Sequence, residues 1–173
     1  MRINRLRLEG FRRHRDLDLA LAPGLTVVRG PNEAGKTTIQ RALELALTRR
    51  VTSASADVEA LRTWGSSAAD GSAPTVELAF EQDDEDVVRA GSLRKEFRGA
   101  RGTVRLVFDG QEVTDPALAD QRLADLTGIP TEPFFRSTAS VRHHEVVRLP
   151  RGRSALRVDA QRHPPLRPPL EAL

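Results

Sequence analysis

The feature that most constrains this chain is a glycine-flanked loop between an apolar run and an amphipathic pattern. The loop reads GPNEAGKT over residues 30–37 and fits G-x-x-x-x-G-K-[ST]. Residues 25–28 precede it as a short apolar run, which predicts a strand buried on both faces. Apolar residues then recur at helical spacing over residues 36–48, which predicts an amphipathic helix. The order strand, loop, helix predicts an α/β fold organised around a P-loop.

Each part of this loop suits a phosphate ligand. Gly30 and Gly35 let the backbone curl so that N–H groups point at phosphate oxygens. A helix that starts at Lys36 directs the positive end of its dipole at the same phosphates. The Lys36 ammonium is expected to reach the β- and γ-phosphates, the Thr37 hydroxyl to bind Mg²⁺, and the Thr38 hydroxyl to contact the α-phosphate.

Alternating apolar residues predict an N-terminal hairpin, with strands over residues 2–9 and 17–21 joined by the basic turn 12–15. An antiparallel sub-sheet is predicted within residues 75–113, with strands at 76–80, 93–97 and 104–108. An acidic turn is predicted at 82–86 and a hairpin turn at Asp109-Gly110. The predicted helices are a short one over 57–64, one over 116–127 capped by Asp115 and ended by Gly128, and a short turn or helix from Phe134, followed by an extended stretch over 138–141.

Composition narrows the class of protein. The 173 residues are 39% hydrophobic and 29% charged, which predicts one globular domain. The chain has no cysteine, which excludes a disulfide scaffold and a thiolate zinc site. The longest apolar runs are far shorter than the ~20 residues that cross a bilayer, and the N-terminus has no signal-peptide pattern. The expected location is the cytoplasm.

Charge is unevenly distributed along the chain. Residues 1–50 hold 11 basic and 5 acidic residues, which indicates an anionic partner and predicts weak, electrostatic DNA binding. Residues 150–173 contain five prolines and five arginines without periodicity, which predicts an irregular tail. The predicted organisation is therefore a domain over residues 1–149 followed by this tail.

The residues around the loop resemble a known family. Leu6, Leu8, Phe11 and Arg12, then residues 23–25 and the loop itself, are similar to the N-terminal lobe of the SMC-like ATPases, and to the SbcC and RecF type most of all. Residues 116–130, Phe134-Phe135 and residues 140–142 resemble the family's later segments, so the likeness covers residues 1–149. It implies an ABC/SMC-head-like P-loop fold, in which a mixed sheet carries the strand before the loop. It also implies a protein that uses Mg²⁺-ATP and acts in DNA double-strand-break repair.

The resemblance also implies a set of site residues. Arg12 and Arg13 stand where family members contact the nucleotide, and Asn32 and Glu33 would lie over the phosphates. Together with the loop, the candidate nucleotide-binding residues are Arg12, Arg13, Gly30, Asn32, Glu33, Ala34, Gly35, Lys36, Thr37 and Thr38, with Thr37 also the candidate metal ligand. No catalytic residue is assigned.

Two departures from the family pattern affect the expected activity. The family's glutamine near the γ-phosphate falls near His143 here, and no LSGGQ-like stretch, later Asp-Glu strand or coiled-coil heptad is found. The chain is therefore expected to be a fragment that lacks a C-terminal lobe, that does not hydrolyse ATP alone, and that associates with that lobe or with a second head.

The sequence is also compatible with two alternatives. Asp109 follows the apolar stretch 104–108 as the acidic residue of a Walker B strand would, which would make the chain a small self-contained P-loop kinase or NTPase. The chain could instead be a non-catalytic regulatory protein that binds nucleotide without turnover.

Overall fold

One antiparallel sheet with three helices makes up the part of the chain that the computed structural model describes, which is residues 1–52, 60–62, 73–84 and 87–140. The sheet order is β2-β1-β3-β4-β5-β6, and every neighbouring pair is antiparallel. The strands are β1 Arg2–Phe11, β2 His14–Ala20, β3 Thr75–Asp84, β4 Val87–Glu96, β5 Thr103–Phe108 and β6 Gln111–Val113. The helices are α1 Lys36–Thr48, α2 Pro116–Thr127 and α3 Glu132–Thr138.

The two faces of the sheet differ because the side chains alternate along each strand. Inward residues such as Leu6, Leu78 and Leu106 are buried in a single core beneath α1 and α2. The outward face carries charged residues that pair across strands: Arg5 with Asp18, Arg94 with Glu77, and Arg105 with Glu112. This pattern confirms the predicted N-terminal hairpin, in which Leu6 pairs with Leu19 and Leu8 with Leu17.

The β3–β4 hairpin is longer than predicted. β3 continues through Gln82 to Asp84, where the sequence predicted a turn, and β4 begins at Val87 rather than near residue 93. Glycine is a poor strand residue, but a Cβ at Gly91 would meet the rings of Phe80 and Phe108, which stack with centroids 5.9 Å apart. Aromatic packing and cross-strand pairing therefore extend the sheet to residues 82–84, which the local sequence predicted to be a turn.

Capping residues mark where α2 and α3 begin. α1 spans the predicted range, and α2 starts as predicted, with the Asp115 carboxylate accepting from the Leu118 N–H at 2.8 Å. The extended stretch predicted over residues 138–141 is wrong at Thr138, which ends α3. Thr131 caps α3 by accepting from the Phe134 N–H, and Phe135 is buried in the core, so capping and burial favour the helix.

The predicted strand over residues 25–28 is not formed. These residues are irregular, and Leu25 is 87% exposed. A strand buried on both faces needs paired neighbours at its edges, and no strand of the described sheet pairs with residues 25–28. The expected mixed sheet is therefore corrected to an antiparallel one within the described residues, because an apolar run reports hydrophobicity and not the presence of a pairing partner.

Other predictions fall wholly or partly outside the described residues. Of the helix predicted over 57–64, only residues 60–62 are described, and they form a turn with a bridge from Arg62 to Phe11. Residues 85–86, His143 and the tail 150–173 lie outside, so the predicted division of the chain at residue 149 stays a prediction. Among the described residues, no helix is long and apolar enough to cross a membrane.

Candidate nucleotide-binding site

The loop before α1 has the backbone that its glycines predicted, with one addition. Gly35 is the N-cap of α1 and has φ +92°, a conformation that favours glycine. Glu33 is also left-handed, with φ +65°, which is uncommon for a residue with a side chain. The Ala34 N–H donates to the Pro31 carbonyl at 3.3 Å, so the turn between them is closed.

Lys36 lies folded back over this loop. Its Nζ donates to the carbonyl oxygens of Gly30 at 2.7 Å and Pro31 at 2.6 Å. Carbonyl dipoles solvate the ammonium but do not neutralise it, so a full positive charge is held at the mouth of the loop. That position suits a phosphate ligand, to which an ammonium binds as a point charge.

The first turn of α1 adds two N–H donors. Within the described part of the chain, the backbone N–H groups of Lys36 and Thr37 donate to no other group, while those of Thr38 and Ile39 both donate to the Gly35 carbonyl. Unpaired N–H groups at a helix N-terminus attract anions, because they carry the positive end of the helix dipole. The loop therefore presents two backbone donors and one ammonium together.

The remaining candidate residues divide by exposure. Gly30, Asn32 and Thr37 are exposed, whereas Ala34 is partly buried and Thr38 is buried at the base of the helix. The exposed Thr37 hydroxyl is a hard oxygen donor of the kind that Mg²⁺ accepts beside phosphate oxygens, so the residues present fit this metal. The described residues contain no cluster of three acidic or histidine side chains that could bind a metal without a phosphate.

The two arginines of the β1–β2 turn point to different places. The Arg13 guanidinium donates to the Glu33 carbonyl of the loop. Arg12, which has φ +48°, contacts the segment at Ala60 instead, with its Nε 3.4 Å from that carbonyl. The structure therefore brings Arg13 to the loop and holds Arg12 against residues 60–61.

His14 is a loop contact that the sequence analysis missed. Its Nε2 lies 3.2 Å from the Gly35 carbonyl oxygen, and its ring occupies the space where a Cβ at Gly35 would stand. The only sequence signal was its position beside two arginines in a turn, which an exposed, solvated histidine would share.

A buried ion-pair cluster fixes α1 from the other side. The Glu44 carboxylate is 1% exposed and accepts from Arg41 of the same helix and Arg136 of α3, each at 2.7 Å. The Gln40 amide donates to the Ser140 hydroxyl at 2.8 Å. α3 and the end of the described chain are thereby attached to the helix that carries the phosphate loop.

Asp109 does not lie at such a site. It occupies the turn between β5 and β6 with φ +52°, and its carboxylate is 3.5 Å from the Arg89 guanidinium. β5 is antiparallel to both neighbours, and β3 and β4 separate it from β1. The hairpin prediction is confirmed, and the Walker B interpretation of Asp109 is wrong, because a Walker B strand is a parallel strand beside the loop strand.

Residues 5–132 match the family model described as an AAA domain. The chain belongs to the AAA domain family. The match runs from β1 to the start of α3, so it includes the loop, and it confirms the P-loop ATPase domain that the resemblance implied.

Curated relatives match this AAA domain over part of their length. A protein named DNA replication and repair protein RecF from Chloroflexus aurantiacus is 38% identical over 111 residues, which are 64% of this chain and 26% of that protein. One with the same name from Roseiflexus castenholzii is 45% identical over 62 residues, which are 36% of this chain and 16% of that protein. The chain spans about a quarter of these relatives or less.

A solved structure, the SMC head domain from Thermotoga maritima, aligns with a TM-score of 0.43 and 22% identity over 70% of this chain and 42% of that one.

Proposed function

We propose that this chain is the nucleotide-binding lobe of a DNA-repair ATPase of the RecF and SbcC type, located in the cytoplasm, and that it binds Mg²⁺-ATP at residues 30–38. The observation that carries the proposal is the convergence at one loop of the Lys36 ammonium and the unpaired N–H groups of Lys36 and Thr37. The family match over this segment and the names of the curated relatives support the same conclusion.

The proposed binding mode follows from these groups. The β-phosphate would accept from the Lys36 and Thr37 N–H groups, and the Lys36 ammonium would leave the Gly30 and Pro31 carbonyls for the β- and γ-phosphates. Thr37 would hold Mg²⁺, which would supply positive charge against that of the phosphates when bound. Asn32, Glu33 and Ala34 would line the outside of the phosphates.

Calorimetric titration of Mg²⁺-ATP into wild type, Lys36→Ala and Thr37→Ala tests this mode. Lys36→Ala is expected to abolish measurable binding, and Thr37→Ala to reduce the dependence of affinity on Mg²⁺. Arg94→Ala is the matched control, since it removes a positive charge from the outward face of the sheet. Equal affinities for wild type and Lys36→Ala would contradict the proposal.

We further propose that the lobe alone turns ATP over slowly or not at all. The loop supplies contacts that exist already in the ground state, and rate enhancement requires groups that act on the transition state. A complementary lobe or a second head would supply those groups and cover the exposed apolar residues 25–28. Lys36-dependent phosphate release at an ordinary enzymatic rate by the purified chain would overturn this part.

DNA is proposed as a weak partner of the loop side of the molecule. Arg2, Arg5 and Arg7 are engaged by carboxylates on the sheet, which removes part of the N-terminal positive charge. Arg15 and Arg29 are exposed and have no ion-pair partner among the described residues. Arg12 and Arg13 donate only to carbonyl oxygens and so keep their charge as well. Four such arginines predict a logarithmic slope of affinity against salt concentration of about −4 at most. Arg29→Ala is expected to reduce the slope by about one and Arg5→Ala to leave it unchanged; an affinity independent of salt would contradict the proposal.

A further inference from the structure

The β1–β2 turn holds both left-handed residues of the phosphate loop by their carbonyl groups. Arg13 donates to the carbonyl of Glu33, and the next residue, His14, places Nε2 3.2 Å from the carbonyl of Gly35. Because a carbonyl oxygen only accepts, the His14 nitrogen is the N–H donor. Two consecutive side chains of one turn thus contact the two loop residues whose φ values are +65° and +92°.

This turn is itself fixed by the core. Phe11 is fully buried and packs edge-on against Phe97, with ring centroids 6.5 Å apart. Phe11 pairs with His14 across the turn, and the Arg12 N–H donates to the Leu61 carbonyl at 2.8 Å. The position of His14 is therefore fixed by its pairing with the buried Phe11.

The contact at Gly35 has a consequence for the phosphate donors. In a trans peptide, the carbonyl of one residue and the N–H of the next point in opposite directions. His14 holds the Gly35 carbonyl together with the Thr38 and Ile39 N–H groups, which donate to the same oxygen, and so helps to direct the Lys36 N–H away from it. Within the described residues, this N–H has no acceptor. A loop fixed in this state loses less conformational entropy when a ligand binds.

Steric contact reinforces the hydrogen bond. A Cβ at Gly35 would overlap His14 Nε2 and lie 2.9 Å from Cε1. By contrast, Gly128 has a similar left-handed conformation, with φ +67°, and a Cβ there would meet nothing within 4 Å. The close approach at Gly35 is thus specific to the imidazole that stands against it.

We propose that His14 is a positioning residue for the phosphate loop. It orients the Gly35–Lys36 peptide so that the Lys36 N–H faces the β-phosphate. Arg13 fixes the Glu33 carbonyl, while the Ala34 N–H of the same peptide donates to Pro31. The role rests on the proposed nucleotide site and adds a residue outside the loop to it.

Three variants test the hydrogen bond. His14→Phe keeps a ring but has no donor, His14→Gln keeps an N–H donor near the position of Nε2, and Arg15→Ala is the adjacent control. Calorimetry with Mg²⁺-ATP is expected to give an affinity about fivefold lower for His14→Phe, the effect of one neutral hydrogen bond. His14→Gln is expected to bind within about twofold of wild type, because rescue requires the donor and not the ring.

A second measurement needs no nucleotide. The backbone amide resonance of Lys36 in the free chain is expected to shift in His14→Phe but not in His14→Gln. His14→Leu is the substitute donor-free variant if the phenylalanine does not fold. If wild type fails to bind Mg²⁺-ATP, the proposed function fails while this amide measurement still decides the role of His14. An unchanged Lys36 amide, or equal affinities in wild type and His14→Phe, would overturn the inference.

Discussion

The two ends of helix α1 are each held by one of the chain's two lysines, Lys36 and Lys95. At the N-terminal end, Lys36 is part of an exposed loop and donates to two carbonyls. At the C-terminal end, Lys95 is fully buried and donates to the Arg49 carbonyl at 2.8 Å and the Asp120 carboxylate at 3.0 Å. The two ends of α1 therefore each contact a lysine, one in an exposed loop and the other in the core.

The difference lies in what the ammonium faces. The carbonyl partners of Lys36 leave its charge available, so an incoming phosphate can replace them. Lys95 binds the carbonyl of Arg49, the residue that directly follows α1, and is neutralised by a carboxylate from α2, so this buried ammonium joins three elements of the fold. We infer that binding and stability are separable along α1, and substitutions at the two ends can test this.

The largest expected effect is on stability at the buried end. Lys95→Ala should lower the free energy of unfolding by about 3–5 kcal/mol, because it leaves a cavity and removes the buried partner of the Arg49 carbonyl and of the Asp120 carboxylate. Lys36→Ala should change it by less than about 0.5 kcal/mol, since the loop is exposed. Urea unfolding followed by circular dichroism measures both values.

Lys95→Met is the control for packing. It keeps most of the volume and removes the buried charge, so it should cost clearly less than Lys95→Ala. If Lys36→Ala destabilised the chain as much as Lys95→Ala, the two ends would not differ as the structure indicates.

The same contrast shows what the sequence could predict. Lys36 was identifiable because its neighbours carry a spacing that phosphate chemistry requires. Lys95 was not, since a lysine in an alternating strand is ordinarily exposed, and only the placement of α2 brings Asp120 over it. His14 was missed for the same reason, because its contact with Gly35 depends on how the first hairpin meets the loop. Local pattern predicted α1, α2 and the hairpins, but not the contacts between them or the absence of a strand at residues 25–28.

A smaller effect is expected from pH. Burial lowers the pKa of Lys95 below its ordinary value of 10.5, and Asp120 opposes this only in part. The folded chain then releases the proton at a lower pH than the unfolded chain, so between the two pKa values the unfolded state binds more protons. The free energy of unfolding should therefore rise with pH in the alkaline range up to about 10.5, by at most ~1.4 kcal/mol per unit.

Few other side chains titrate in this alkaline range, because the chain has no tyrosine and no cysteine. Urea unfolding of wild type and Lys95→Met at several pH values isolates the contribution of Lys95. The stability of wild type relative to Lys95→Met should increase as the pH rises. A relative stability that falls with pH would mean that the ion pair with Asp120 outweighs the loss of hydration at this lysine.

The smallest expected effect separates the two cations that share Asp120. Arg50 reaches the same carboxylate at 3.2 Å, but its side chain is 56% exposed. Water already screens this charge, and fixing a long side chain costs entropy, so Arg50→Ala should lower the free energy of unfolding by only about 0.2–1 kcal/mol. The loss should shrink further at high salt, whereas the loss from Lys95→Ala should not, since a buried pair is screened far less. Urea unfolding of both variants at low and high salt measures the difference. A large, salt-independent loss of unfolding free energy in Arg50→Ala would contradict this. It would mean that Arg50 and Lys95 together, and not the buried lysine alone, attach α1 to Asp120.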